Sequence, residues 1–388
     1  MHSIAQLRLR AKARLPRLAF DFIDGGAGSE ESLRRNQSAF ENLALVPRVL
    51  RPCRERDLST RLLGRHYAMP FGVSPMGLCN LAWPGTDRAL AAAAAGANIP
   101  YGLSTMASTS IEDIARLAPE HTWFQIYLGG DAATADQLLH RAEAAGLRTL
   151  VLTVDANFPA RRLRDRANGF ALPLRPSPAL LADLLSHPCW SWAIWRAGVP
   201  TFENFRAAQA RQEPIAIGAM LQSLAQAQID WGVLEQIRQR WRHTLIVKGV
   251  MHPQDAARIA ALGVDGIVVS NHGGRQLAAV PSAIEMLPAV RQAVGPHFSL
   301  LLDSGVRSGD DIARALAAGA NFVLLGRSFL YATAALGAQR GAEAALDILR
   351  GELDTAMAQL GASCIADLQP EWIFQAPSAS RPSPGAFS

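Results

Sequence analysis

The 388-residue chain reads as an α/β protein: a (β/α)8 TIM barrel with N-terminal cap helices and a long insertion after its fourth strand. Two observations predict this. First, an alanine-rich helical end, a glycine and an apolar run recur four times. They are Ala91 to Gly96 before Ile99-Pro100-Tyr101, Ala144 to Gly146 before Thr149 to Leu152, Ala260 to Gly263 before Gly266 to Val269, and Ala317 to Gly319 before Phe322 to Leu325. Glycine just past a helix, then a run apolar on both faces, is how helices feed the strands of a parallel sheet. Phe71 to Ser74, Trp123 to Ile126, Leu245 to Lys248 and Leu300 to Asp303 bring the runs to eight. Second, every run ends in polar residues: Ser74-Pro75, Ser104-Thr105, Gln125 with Tyr127, Thr153 with Asp155, Lys248, Ser270 to Arg275, Asp303-Ser304-Gly305, and Gly326-Arg327. A barrel gathers its strand ends on one face, whereas a doubly wound sheet gives no reason for polar groups at every end.

Composition agrees with one large core. Hydrophobic residues make up 49% and charged residues 18% of the chain, so it is globular. The net charge of +5 is compatible with nucleic acid, an anionic membrane surface or anionic small molecules, and selects none of them. Cys53, Cys79, Cys189 and Cys364 lack paired spacing, so neither a metal site nor a disulfide framework is expected, and a reducing compartment is. Arg8, Arg10, Lys12, Arg14 and Arg17 interrupt the first twenty residues, which therefore hold no apolar export segment. The expected location is the cytoplasm.

In chain order, Leu7, Leu15, Leu18 and Phe22 recur at helical spacing, predicting a helix from Ile4 to Phe22 that stops at Gly25-Gly26. Ser29 to Ser32 opens a second short helix. The barrel strands follow over about 71–326, within a single domain spanning 1–375. The insertion, Asn168 to Arg242, holds Leu180-Leu181, Leu184-Leu185, Trp190, Trp192, Ile194 and Trp195. Asp183, His187, Pro188 and Arg196 break it, so it is too short and interrupted to span a bilayer. Tryptophan beside basic residues fits an element dipping into a membrane interface; a lid or an oligomer contact packed on protein fits the same composition. The Pro/Ser-rich tail 376–388 is expected to be disordered.

The chemistry centres on Ser270-Asn271-His272-Gly273-Gly274-Arg275-Gln276-Leu277. His272 supplies a base and Arg275 a carboxylate clamp, with glycines between them that let backbone approach a ligand. A lone histidine at a strand end is more often structural, so its company decides. Asp303 to Gly309, containing Arg307, and Gly326-Arg327 lie at adjacent strand ends. Either glycine loop alone is only a turn; the two together, each with an arginine, point to a phosphate. Lys248 ends an apolar strand, where an ammonium needs negative charge: a structural ion pair, or the charge a flavin ring gains on reduction. Asp155 is placed to orient His272 and stabilise its protonated form.

These segments, with Val-Lys-Gly-Val, Leu-Thr-Val-Asp, Phe-Gln-Ile-Tyr, Asp-Ser-Gly-Val-Arg-Ser-Gly and Leu-Gly-Arg, resemble the FMN-dependent 2-hydroxy acid dehydrogenase/oxidase family from about Leu15 to about Ala366. Its members include glycolate oxidase and the lactate and mandelate dehydrogenases. The resemblance implies FMN across the barrel mouth and oxidation of an L-2-hydroxy acid to the 2-oxo acid. His272 would be the base, for the Cα proton or for the hydroxyl proton, with Asp155 its partner. Arg275 and Arg162 would bind the substrate carboxylate and Tyr127 the hydroxyl, Arg162 being chosen over Arg161 by ungapped counting. Pro75, Met76, Gly77, Ser104, Gln125, Thr153, Lys248 and Ser270 would meet the ring and ribityl chain of FMN. Asp303, Ser304, Gly305, Val306, Arg307, Gly326 and Arg327 would hold its phosphate end.

Three departures shape the expected substrate. Phe22 stands where the family has a carboxylate-binding tyrosine, which removes a hydrogen bond to a charged group worth about 1.5–3 kcal/mol. Gly77 and Met106 stand where small-acid oxidases tend to carry Ala and Trp, suggesting room for a larger or aromatic, mandelate-like acid; lactate is the other expected substrate. The segment 176–200 resembles that of the membrane-associated branch, implying docking on the inner face of the cell membrane and electron transfer to a quinone. An oxygen-using oxidase and a flavin-binding barrel with altered substrate or lost catalysis are the alternatives. The family further implies a tetramer, and nothing points to nucleic acid.

Overall fold

The computed structural model describes residues 1–128, 132–170, 177–208 and 229–374. The chain enters through helices α1 (Ile4–Arg14), α2 (Arg17–Asp24) and α3 (Glu31–Glu41), then a hairpin of β1 (Thr60–Leu62) and β2 (Arg65–Tyr67). The single helix expected over Ile4 to Phe22 is two. Pro16 disfavours helical backbone at Leu15, which is extended, and itself stands as the N-cap of α2. The break turns α2 across the barrel mouth, with Phe22 near its end.

Eight parallel strands close the barrel: β3 (Phe71–Met76), β4 (Tyr101–Ser104), β5 (Thr122–Ile126), β6 (Thr149–Thr153), β7 (Thr244–Val250), β8 (Gly266–Val269), β9 (Ser299–Leu302) and β10 (Phe322–Leu325), with β10 paired to β3. Of the four predicted helix-ending glycines, Gly146, Gly263 and Gly319 hold φ of +85°, +73° and +111°. Gly96 does not; it is the last helical residue, and Asn98 takes the left-handed turn at φ +49°.

Inside the barrel, Trp123, Val151, Ile246, Val268, Leu301, Phe322 and Leu324 pack together with Leu62 and Tyr67 of the hairpin. Tyr67 meets the rings of Trp123 and Phe322, which lie at strand starts, so the hairpin plugs the N-terminal end. Chemistry is left to the opposite end, where the polar residues collect.

Between β6 and β7 lie the helices Leu163–Ala167, Pro178–Ser186, Pro188–Ala197, Glu203–Ala208 and Trp231–Arg240. The last, counted with the insertion in the sequence, returns the chain to β7: Asp230 caps it, and Leu234 and Ile237 bury one face. In Pro188–Ala197, Trp190 is buried and donates to Leu81 O at 3.0 Å, with Ile194 beside it. Trp192 and Trp195 are 60% and 72% exposed and stack on each other at 4.9 Å. Leu181, Leu185 and Val199 are exposed nearby. The helix thus has one face on protein and one apolar face in solvent. Among the described residues no helix is long and apolar enough to cross a membrane. The tail 376–388 lies outside the described residues.

Candidate active site

The turn after β8 is left-handed at three consecutive residues, His272 (φ +58°), Gly273 (+65°) and Gly274 (+73°). For a histidine this backbone is unfavourable and persists only when its surroundings enforce it. The enforcing bonds are specific. Ser270 Oγ accepts from His272 N at 3.0 Å, Ser304 Oγ from Gly273 N at 2.9 Å, and Asn271 Oδ1 from Gly274 N at 3.1 Å. The side chains of Asn271 and Asn36 form a reciprocal amide pair at 2.7 and 2.8 Å, tying the turn to α3.

His272 Nδ1 lies 2.9 Å from Asp155 Oδ1, and Nε2 lies 3.4 Å from Tyr127 Oη. A proton on Nδ1, donated to the carboxylate, leaves the Nε2 lone pair facing the cavity. Burial acts to raise the Asp155 pKa, but His272 and Lys248 more than offset it, so the carboxyl stays below its ordinary range and ionised. Space for Asp155 comes from Gly249, at φ +102°, where a Cβ would fall 2.5 Å from Asp155 Cγ. Tyr127 is pushed up to about 12 by burial and by Asp155, so its hydroxyl remains a donor at neutral pH. Lys248 Nζ reaches Asp303 Oδ2 and Ser270 Oγ, each at 2.9 Å. Burial opposes its charge, yet Asp303 and Asp155 raise its pKa, so a permanent cation stands under the mouth.

Two arginines form a positive corner beside this pair. Arg162 Nε is buried with no hydrogen-bond partner. Arg275 Nη1 donates to Phe22 O at 2.8 Å and Gly25 O at 2.9 Å, and its guanidinium lies 5.2 Å from the Phe22 ring centroid. Burial lowers the pKa of both, and for Arg275 the charges of Arg162 and Arg327 add to the effect. A guanidinium depressed by burial and by neighbouring cations is stabilised by an anion placed beside it. The Phe22 ring stacks on Phe170 at 4.7 Å, so this corner is walled by apolar surface.

Of the sequence-predicted site residues, all but Asp155 and Ser270 line one cavity of about 610 Å³; those two stand behind it, against His272 and Lys248. The cavity is short of hydrogen-bond partners. Among the described residues eight buried side-chain polar atoms have none, and five line it: Gln125 Nε2, Thr153 Oγ1, Asn157 Oδ1, Arg162 Nε and Arg307 Nη2. Buried polar groups are rarely left so without a ligand's help. Gln125 Oε1 already accepts from Ser104 Oγ at 2.8 Å, which leaves its amide N–H₂ for a ligand carbonyl. At the other end, Arg307 and the start of the helix Arg327–Leu336, whose N-cap Gly326 makes no side-chain capping bond, can hold a phosphate. A flat, carbonyl-bearing ring with a phosphate tail fits this set.

The structure corrects three expectations. Gly273 and Gly274 admit protein rather than ligand: a Cβ on Gly273 would lie 2.8 Å from Arg327 Nη1, and one on Gly274 2.7 Å from Leu33 N of α3. The Arg327 guanidinium, expected at the phosphate, spends three of its five N–H donors on protein, donating to Ile23 O, Gly273 O and Gly25 O. At Gly77, Met106 takes the space a side chain would need, with a Cβ there falling 2.9 Å from Met106 Cβ; any extra room comes from methionine in place of a bulkier ring. Asn36, Asn157 and Gly249 escaped sequence reasoning, since each acts on a partner remote in the chain or on a ligand.

A model of the FMN-dependent dehydrogenase family matches residues 11–375. An L-lactate dehydrogenase of Xanthomonas campestris pv. campestris is 40% identical over 364 residues, 93% of this chain and 94% of the relative. One of Xanthobacter autotrophicus is 40% identical over 369 residues, 94% of each. Among solved structures, a monotopic membrane protein, (S)-mandelate dehydrogenase, superposes with a TM-score of 0.92 at 36% identity, covering 97% of this chain and 100% of the other. A mandelate oxidase with (S)-4-hydroxymandelic acid gives 0.83 at 35% identity, covering 96% and 98%.

Proposed function

The chain belongs to the FMN-dependent dehydrogenase family and is an FMN-dependent L-2-hydroxy acid dehydrogenase; from that premise we propose how its residues divide the work. Arg162 and Arg275 hold the substrate carboxylate, Arg162 through the Nε that has no partner in the protein. Tyr127 donates to the substrate hydroxyl. His272 Nε2 receives the substrate proton, and Asp155 stabilises the imidazolium that results. Bound FMN supplies the two-electron acceptor. Gln125, Thr153, Ser104 and Lys248 would meet its ring, and Arg307 with the backbone at Gly326-Arg327 its phosphate. The observation carrying this reading is the pairing, in one cavity, of an oriented base with a guanidinium whose buried Nε has no hydrogen-bond partner.

The substrate is read as a larger or aromatic acid, mandelate-like, with lactate beside it. Support comes from the Phe22–Phe170 slab, from Met106, and from neighbours that are mandelate enzymes among relatives that are L-lactate dehydrogenases. Electrons are read as passing to a quinone, with the Trp192–Trp195 face docking the protein on the inner face of the membrane as a peripheral tetramer. The exposed apolar face and the monotopic neighbour support the docking. Anaerobic mixing of the yellow holoenzyme with L-mandelate, L-lactate or glycolate tests the substrate. Bleaching by mandelate or lactate is expected, and a preference for glycolate would remove the reading. Reoxidation faster with a soluble quinone than with oxygen is expected in the same cell.

A further inference from the structure

The backbone carbonyls that end α2 are held by two guanidinium groups. Arg275 takes Phe22 O and Gly25 O. Arg327 takes Ile23 O through Nε at 2.9 Å and Gly25 O through Nη2 at 2.8 Å, and its Nη1 reaches Gly273 O at 2.8 Å. Gly25 O is therefore shared by both arginines, while Gly273 adjoins His272. One planar fork thus touches the end of α2, the carbonyl Arg275 leans on, and the turn that presents the base. Lysine, a single point charge, cannot make this three-way contact.

The fork is buried as well as central. Arg327 is 8% exposed, and among the described ion pairs it has no carboxylate partner within 4.0 Å. Burial lowers its pKa to about 10, which still leaves it charged at neutral pH. A buried cation satisfied only by carbonyls keeps its field, and that field falls on the corner already formed by Arg162 and Arg275.

We propose that Arg327 is a positioning residue for the substrate end of the site: it locks Arg275 and the His272–Gly273 turn to the end of α2, and its charge strengthens the subsite for the substrate carboxylate. The cofactor's phosphate receives the start of the helix that Arg327 opens, and not its side chain. The proposal rests on the assignment of Arg275 and His272 to substrate binding and proton transfer given above.

The test compares two ligands on wild type, Arg327→Met and Arg327→Lys. FMN affinity is read from flavin fluorescence on reconstitution, and the carboxylate subsite from titration of the holoenzyme with oxalate, followed by flavin absorbance. Arg327→Met is expected to weaken oxalate about tenfold or more, the scale of a bond to a charged group, to raise KM in parallel, and to change the FMN dissociation constant less than threefold. Arg327→Lys is expected to recover oxalate binding in part, through its charge, while kcat stays low because the fork is gone. An equal or larger loss of FMN affinity would return Arg327 to the phosphate. Unchanged oxalate binding and KM with a lower Tm would make it merely structural. If Arg327→Met fails to accumulate, Arg327→Lys alone carries the comparison, since oxalate binding at the wild-type level with normal kcat overturns the proposal. Because oxalate binding needs no turnover, a failure of the assigned reaction, seen as no bleaching of wild type by any hydroxy acid, remains distinguishable.

Discussion

The barrel mouth and the helix Pro188–Ala197 depart from an ordinary water-soluble fold in opposite directions. At the mouth, polar atoms of Gln125, Thr153, Asn157, Arg162 and Arg307 are out of water and lack partners. On the helix, the rings of Trp192 and Trp195 are 60% and 72% exposed and stack on each other. A buried polar deficit is relieved by a ligand with hydrogen-bonding groups, and an exposed apolar surplus by removal from water. On the function proposed above, the contrast assigns two kinds of partner to one chain: small, polar and anionic at the mouth, extended and apolar at the insertion. Changes at the mouth should therefore alter rates and substrate affinity, and changes on the helix only where the protein resides.

The largest effect expected is at the base. His272→Asn keeps a polar side chain at the turn but removes the proton acceptor, and kcat should fall by about 10³-fold, within the range general-base removal commonly shows. The flavin should remain bound and yellow, because Asp155 and Lys248 stay in place. Stopped-flow bleaching under anaerobic conditions reads the loss. A fall of less than tenfold would move the proton to another group and weaken the view of the mouth as an oriented acid–base site.

Next comes Arg162→Met, which removes the guanidinium whose Nε has no protein partner. Losing a hydrogen bond to a charged group costs about 1.5–3 kcal/mol, which is roughly 10- to 150-fold in KM. Thermal stability should hold or rise, since a guanidinium whose buried Nε has no partner is replaced by an apolar chain. A lower Tm with unchanged KM would mean that Arg162 serves the fold rather than the anion.

These residues differ in how far the sequence revealed them. The strands and their polar ends were legible because each run is short, apolar and followed by chemistry that a buried strand would not carry. His272, Asp155 and Tyr127 lie at three strand ends and meet within 3.4 Å, as a barrel requires. Arg327 is legible as a site residue, but its contacts with Ile23 O, Gly25 O and Gly273 O are not, because a Gly-Arg pair at a strand end specifies which loop is involved and not where a long side chain turns. Asn36 was invisible: its amide pairs with Asn271, 235 positions away. The two faces of Pro188–Ala197 follow helical spacing, Trp190 with Ile194 inward and Trp192 with Trp195 outward, but spacing does not say which face finds protein.

That outward face sets the third prediction. Replacing Trp192 and Trp195 together with serine should weaken co-sedimentation with vesicles of anionic phospholipid about 10- to 150-fold, taking roughly 0.7–1.5 kcal/mol for each partly immersed ring. Bleaching by the hydroxy acid should be unchanged. Undiminished vesicle binding would assign the exposed rings to another partner, and a change in bleaching would show that the two regions are not separate.

The smallest effect is expected where the regions meet. Asp183, on the helix Pro178–Ser186 of the insertion, accepts from Arg17 N at 2.7 Å and so caps the start of α2, whose own N-cap Pro16 offers no side-chain bond. The other end of α2 carries Phe22 and is pinned by Arg275 and Arg327. One short helix therefore joins the insertion to the corner that holds Arg275. Asp183→Ala should cost about 1 kcal/mol, the usual worth of a cap, visible as a small drop in Tm, while KM stays within twofold because the guanidinium contacts fix the far end of α2 independently of its start. A fivefold or larger change in KM would mean that strain at the cap travels along α2 to Arg275. In that case whatever covers Trp192 and Trp195 could also tune the affinity for the acid, and the two regions would have to be treated as one coupled unit.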